Sequence, residues 1–226
     1  MSVNSQVARN QSRQTFDSVY EATNSLTKAG GNRNIEWFSG NALNTNGWTL
    51  NGTENGGMVN VIDGGYKILP TNGQNIIWYK GKNFFNYVNS GFITVIRGFY
   101  VGGGRTDILV GLSGSNEFSG VPIGSHSKCC FKQDTGAIAL AGSTSNGSSE
   151  TNTALAGSLT MYGERVCLKA TTHSAHSEFS KNGILGVVIT TNLPDSKMSP
   201  ACEVRNIGTG TGNAYAYWNY MEAWNH

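Results

Sequence analysis

Charge is scarce in this 226-residue sequence, with Asp, Glu, Lys and Arg together making up 13%. That is about half the share of a typical globular protein. The 16 basic and 14 acidic residues nearly cancel and form no run of like sign. The basic stripe that grips phosphates is therefore missing, and nucleic acid is not an expected partner. No apolar run approaches the roughly 18 residues of a membrane-spanning helix, so no membrane partner is expected either. The opening MSVNSQVARNQSRQ lacks the apolar centre of a secretory signal, which predicts synthesis in a cytoplasm. Cysteine is also sparse. Cys129, Cys130, Cys167 and Cys202 show no Cys-x-x-Cys or Cys/His ligand spacing, so buried free thiols are expected rather than a metal cage. Neither a Gly-x-Ser-x-Gly elbow nor a phosphate-binding Gly-Lys-Ser/Thr loop is present.

What replaces charge is turn chemistry. Gly (30) and Asn (25) supply about a quarter of the chain, including six Asn-Gly dipeptides at 46, 51, 55, 72, 146 and 182. Asn-Gly tolerates the positive φ angles of tight hairpins. Between such signals lie short apolar runs at 57–62, 65–69, 75–79, 92–101, 107–112, 129–131, 137–141, 158–162, 165–170, 184–190, 201–207 and 214–224. Many short strands without intervening helices predict antiparallel sheets in a sandwich or barrel. Residues 142–152 (GSTSNGSSETN) read as an exposed tip, and Gly208–Gly212 as a hairpin turn. The last strand carries Trp218, Tyr220, Glu222 and Trp224 on one face by simple alternation, and Tyr217, Asn219 and Met221 on the other. Aromatic residues on both faces predict a central strand covered on both sides.

One helix is predicted, over residues 5–28. Phe16, Val19, Tyr20, Thr23 and Leu26 recur at helical spacing, and Gly30-Gly31 ends the run. Its first half is almost wholly polar, and an isolated helix of this kind is marginal in water, so it needs a docking surface. Phe16, Val19, Tyr20 and Leu26 are the expected docking or oligomerisation residues. The domain reading is a helical arm over 1–32 ahead of a sandwich over 33–226.

Three segments carry a family resemblance: Trp37-Phe38-Ser39-Gly40-Asn41-Ala42-Leu43 with Gly47-Trp48-Thr49, then Asp63-Gly64-Gly65-Tyr66-Lys67-Ile68, and the closing Tyr217-Trp218-Asn219-Tyr220-Met221-Glu222-Ala223-Trp224-Asn225. Together they resemble the concanavalin A-like jelly-roll superfamily of laminin-G domains, legume lectins and glucanases, over roughly residues 33–226. The resemblance implies an all-β antiparallel jelly-roll sandwich, here preceded by one N-terminal α-helix, with an early strand beside the final one. The polar helix ahead of such a domain resembles the layout of bacteriophage virion proteins.

The glucanases of that superfamily place catalytic carboxylates on one strand at a spacing like Glu-x-Asp-x-x-Glu. Here the closest acidic pair of the β region is Asp195 and Glu203, eight residues apart, and no strand offers two acids on one face. The lectins' metal sites need closely spaced Asp, Asn and His ligands, which are absent too. His173, His176 and Glu178 are the one group with ligand character, but on a strand the two histidines would face opposite sides. No metal and no cofactor are therefore expected. The reading that follows is a non-enzymatic virion structural protein: a capsid decoration, head-fibre or tail component, assembling as a homo-oligomer, with a trimer as the guess. Its partners would be copies of itself and other virion proteins. The alternative is a carbohydrate-binding adhesin module for host surface glycans, using Trp78, Tyr79, Phe84 and Tyr87 as stacking faces beside Lys80 and Lys82.

Overall fold

The computed structural model describes residues 32–36, 47–51, 58–62, 65–69, 76–82, 85–101, 105–114, 125–134, 137–155, 165–207 and 213–225. Phe16, Val19, Tyr20 and Leu26, and with them the expected arm, lie outside the described residues, except that Asn32 opens the first strand.

Fifteen strands follow one another: β1 (Asn32–Glu36), β2 (Trp48–Asn51), β3 (Met58–Ile62), β4 (Gly65–Leu69), β5 (Ile76–Gly81), β6 (Ser90–Val101), β7 (Arg105–Ser113), β8 (Ser125–Asp134), β9 (Ala137–Asn146), β10 (Glu150–Ala154), β11 (Arg165–Thr172), β12 (Ser177–Lys181), β13 (Ile184–Ile189), β14 (Ser199–Ile207) and β15 (Asn213–Asn225). They build two antiparallel sheets. An eight-stranded sheet runs β13-β12-β11-β6-β15-β4-β3 with β1 also on β15, and a seven-stranded sheet runs β10-β9-β8-β7-β14-β5-β2. The sandwich expected from the turn spacing is thus observed. So is the side-by-side placement of an early and the final strand, since Asn32–Glu36 pairs with Met221–Asn225.

Turn chemistry explains the local geometry. At the β12–β13 hairpin Asn182 and Gly183 both take positive φ (51° and 80°), the backbone of a type I′ turn. Asn146-Gly147 bends the chain between β9 and β10, with Gly147 at φ 87°. Of the stretch 142–152, expected as an exposed tip, only Ser148 and Ser149 of the turn and Asn152 of β10 are exposed. Its first half continues β9, where Ser143, Thr144 and Ser145 are fully buried, and its second half enters β10. Gly208–Gly212, expected as a hairpin turn, lie outside the described residues; the strands on either side, β14 and β15, belong to different sheets.

Between the sheets lies one apolar core built from alternate residues of each strand. Ile108, Val110 and Leu112 of β7 and Cys202 and Val204 of β14 face Phe92 and Ile96 of β6, Leu168 of β11, Phe179 of β12 and Trp218 of β15. Burying side chains of this size contributes about 1.5–3 kcal/mol each. β15 is central and buried on both faces, as the aromatic pattern predicts. Simple alternation misassigns its faces, however, because the register with β6 shifts between Trp218 and Tyr220. Trp218, Met221 and Ala223 consequently share the core, while Tyr220 and Trp224 pack on the outward side with Ile93 and Val95. Glu222 lies there too, fully buried, with the Tyr220 hydroxyl donating to it at 2.5 Å.

Candidate active site on the seven-stranded sheet

Because even-numbered residues of β7 and β14 fill the core, the odd ones belong to the outward face of the seven-stranded sheet. The register then lays out that face in rows. One row runs Trp78, Glu203, Leu109 and Cys130 across β5, β14, β7 and β8. The next runs Ile76, Arg205, Asp107 and Lys132 across the same strands. Glu203 and Asp107 therefore hold diagonal positions on adjacent central strands. Such neighbours lie about 7–8 Å apart, somewhat less at Cβ. No strand carries two acids on this face, as the spacing argument holds, but two neighbouring strands together do.

The two positions differ in surroundings. Asp107 is opposite a cationic residue on both sides, Arg205 on β14 and Lys132 on β8. Glu203 is opposite Leu109, which is fully buried and packs with Ala201 and Ala141. Glu203 is itself 1% exposed. Asp134, at the end of β8, is the other acidic residue diagonal to Asp107, at the rim of the sheet.

Toward the β10 edge the same face carries a buried polar cluster centred on Glu150. One carboxylate oxygen accepts from the Ser143 hydroxyl (2.7 Å), meets Lys128 Nζ at 2.9 Å and lies 3.4 Å from His126 Nε2. His126 and Ser143 are fully buried, and Lys128 is nearly so. Buried charges of this kind persist only when paired and hydrogen-bonded. The cluster contains Ser, His and Glu but not the geometry of nucleophilic catalysis. Ser143 and Glu150 both approach Nε2 of His126, whereas a triad puts the orienting carboxylate on the other ring nitrogen. Its role is to tie β8, β9 and β10 together beneath that edge.

Burial pushes the Glu150 carboxyl up. The His126 hydrogen bond, the Lys128 charge and the Ser143 hydrogen bond outweigh it and hold the group well below the usual carboxylate range. A carboxyl lowered by folding stabilises the native state above its unfolded value of about 4.3, and that contribution is lost as pH falls further. Glu150→Gln should remove this part of the acid sensitivity. Between about pH 5 and about pH 3 the urea midpoint of the variant is expected to fall less than that of the wild type.

The residues expected to bind glycans fall on β5 and in the connection that follows it. Trp78 and Tyr79 are consecutive residues of β5, in register with Glu203 and Cys202 respectively. Phe84 lies outside the described residues, while Tyr87 is exposed in the β5–β6 connection, beside the buried Phe85. Of the cysteines, Cys202 is buried against Met221, and Cys167 is half-buried on the outward face of the other sheet. Burial pushes the Cys167 thiol up to about 11, against the opposing charge of Lys169.

No protein-family model and no curated protein matches this sequence. Solved structures do share its fold. A Bacillus licheniformis β-glucanase superposes with a TM-score of 0.61 at 13% identity, covering 87% of this chain and 99% of its own. A protein of Mycobacterium tuberculosis described as a pseudo β-1,3-glucanase gives 0.62 at 11% identity, covering 85% and 98%. An endo-acting O-glycanase of human gut bacteria that initiates mucin breakdown gives 0.61 at 12%, also covering 85% and 98%. The concanavalin-like jelly roll is thereby supported as the fold. The expectation of a non-enzymatic bacteriophage structural protein is corrected: these likenesses are to glucanases and glycanases, and nothing links the chain to a phage particle. The sequence argument against an enzyme rested on the lack of two acids along one strand and set aside acids meeting from different strands, which is the register relation of Asp107 and Glu203.

Proposed function

We propose that this protein is a glycoside hydrolase acting on a β-linked polysaccharide, with Asp107 and Glu203 as its carboxylate pair. The observation that carries this reading is the diagonal register of the two acids on the central strands of the outward face. The fold shared with glucanases supports it as an analogy.

Such a pair divides its work by environment. Glu203, buried and opposite Leu109, is assigned as the acid that protonates the leaving oxygen. Asp107, in register with Arg205 and Lys132, is assigned as the carboxylate that attacks the anomeric carbon or activates a water. Which of these it does depends on the carboxyl separation, about 5–5.5 Å for retention and about 6.5–9.5 Å for inversion. Trp78, in register with Glu203 on β5, is the aromatic residue assigned to stack on a sugar ring.

The test is to incubate the purified chain with β-1,3-glucan, mixed-linkage β-1,3-1,4-glucan and mucin O-glycans. Release of new reducing ends from one of them is expected, with the anomer of the first product reporting the stereochemistry. A folded protein that cleaves none of the three would overturn the reading.

A further inference from the structure

The β11–β12 hairpin turns through His173-Ser174-Ala175-His176 and is closed by the His173 N–H donating to the His176 carbonyl at 2.8 Å. This turn changes the relation between the two histidines. Instead of facing opposite sides of a strand, their rings stack with centroids 4.6 Å apart and planes at 27°. Nε2 of His176 lies 3.2 Å from a carboxylate oxygen of Glu178, the second residue of β12. One ligand atom from each of the three residues falls within 4.8 Å of the others, the one such group of three among the described residues.

Core packing does not explain this gathering, because His173 is half-buried and the side chains of His176 and Glu178 are 34% and 42% exposed. From these observations we propose that His173, His176 and Glu178 form a binding site for a divalent transition metal of the Zn²⁺ class. Two imidazoles and one carboxylate suit zinc, copper or nickel, whereas calcium and magnesium demand mainly oxygen ligands. With metal–ligand bonds of about 2.0–2.2 Å, the ligand atoms of a tetrahedral site stand about 3.3 Å apart. The His176–Glu178 spacing already matches that value. To join them His173 has to turn its ring out of the stack with His176, and its partial exposure leaves that side chain free of core packing. Three protein ligands leave a fourth position for water. The bound ion would clamp the hairpin, joining the turn to the first residues of β12 at one end of the eight-stranded sheet.

The site is tested on the full chain by calorimetric titration with zinc chloride in a non-coordinating buffer. One zinc per chain is expected, bound at least 100-fold more tightly than magnesium or calcium, together with a rise in melting temperature. Glu178→Gln should weaken binding by at least 10-fold, and a His173→Ala/His176→Ala double variant should abolish both the heat and the thermal shift. All three residues are partly exposed, so the variants are expected to keep the wild-type circular dichroism spectrum. Absence of zinc binding by the wild type, or undiminished binding by the double variant, would overturn the proposal. Neither result bears on the carboxylate pair, which lies on the other sheet.

Discussion

Glu203→Gln and Asp107→Asn are each expected to lower kcat/KM for the cleaved glycan by about 10²–10⁴-fold, the usual contribution of a positioned acid or base. Both replacements keep side-chain size and remove the ability to exchange a proton, so the loss reports chemistry rather than packing. Asp134→Asn provides the internal comparison. Asp134 is also diagonal to Asp107 but sits at the rim of the sheet, and its replacement should leave hydrolysis nearly unchanged. The pH–rate profile separates the roles further. A bell-shaped kcat/KM profile reports a free-enzyme acid and base. Loss of the acid in Glu203→Gln should remove the limb that falls at high pH, and loss of the base in Asp107→Asn the limb that rises from low pH. Equal activity in Glu203→Gln and the wild type would reject the pair outright.

The second large effect is on stability. Phe179 of β12 is fully buried in the core between the sheets. A Cβ added at Gly142 of β9 would stand 2.6 Å from the Phe179 ring, so the ring occupies the space that glycine leaves. Phe179→Ala should cost about 3–5 kcal/mol, combining lost transfer energy with the cavity left behind. For a chain of this size that corresponds to a melting temperature lower by roughly 6–20 °C. The contact also bears on the outward face. Gly142 precedes Ser143, which donates to Glu150, so loosening β9 against β12 disturbs the polar cluster. The opposite change, Gly142→Val, should destabilise by overpacking, because the ring at 2.6 Å is held on all sides in the core. Thermal melts of both variants check the prediction; a Phe179→Ala protein melting within about 2 °C of the wild type would contradict it.

How much of this was legible in the chain depends on the range of the interaction concerned. Apolar runs at 65–69, 92–101, 165–170 and 214–224 each correspond closely to an observed strand. Strand identity is a local matter of alternation and turn residues, as Asn182-Gly183 shows with both φ angles positive. β10 and β12 were harder to see. Glu150–Ala154 reads ETNTA and Ser177–Lys181 reads SEFSK, polar segments that become strands because their neighbours supply hydrogen-bond partners.

The site was legible only in pieces. Asp107 lies in the run 107–112 and Glu203 in 201–207, both recognisable as strands, yet the two are 96 residues apart. A search for acids along one strand has no means of pairing them. His126, Lys128, Ser143 and Glu150 are likewise ordinary polar residues until β8, β9 and β10 align them. For the histidines the sequence already held the residues, and only the turn at 173–176 brings their rings together.

By itself, then, the sequence determined a β-rich chain with tight Asn-Gly turns and a two-sided closing strand, while the jelly roll was what its family resemblance implied. Those follow from backbone preferences and hydrophobic period, which act over a few residues. The tertiary structure decided which strands are neighbours and in what register. It thereby set which face of β15 enters the core past the irregularity at Trp218–Tyr220, and it put Asp107 diagonal to Glu203. A one-residue slip would carry either acid to the other face of its sheet. Register is fixed by the summed packing of the whole core, and no local segment encodes it.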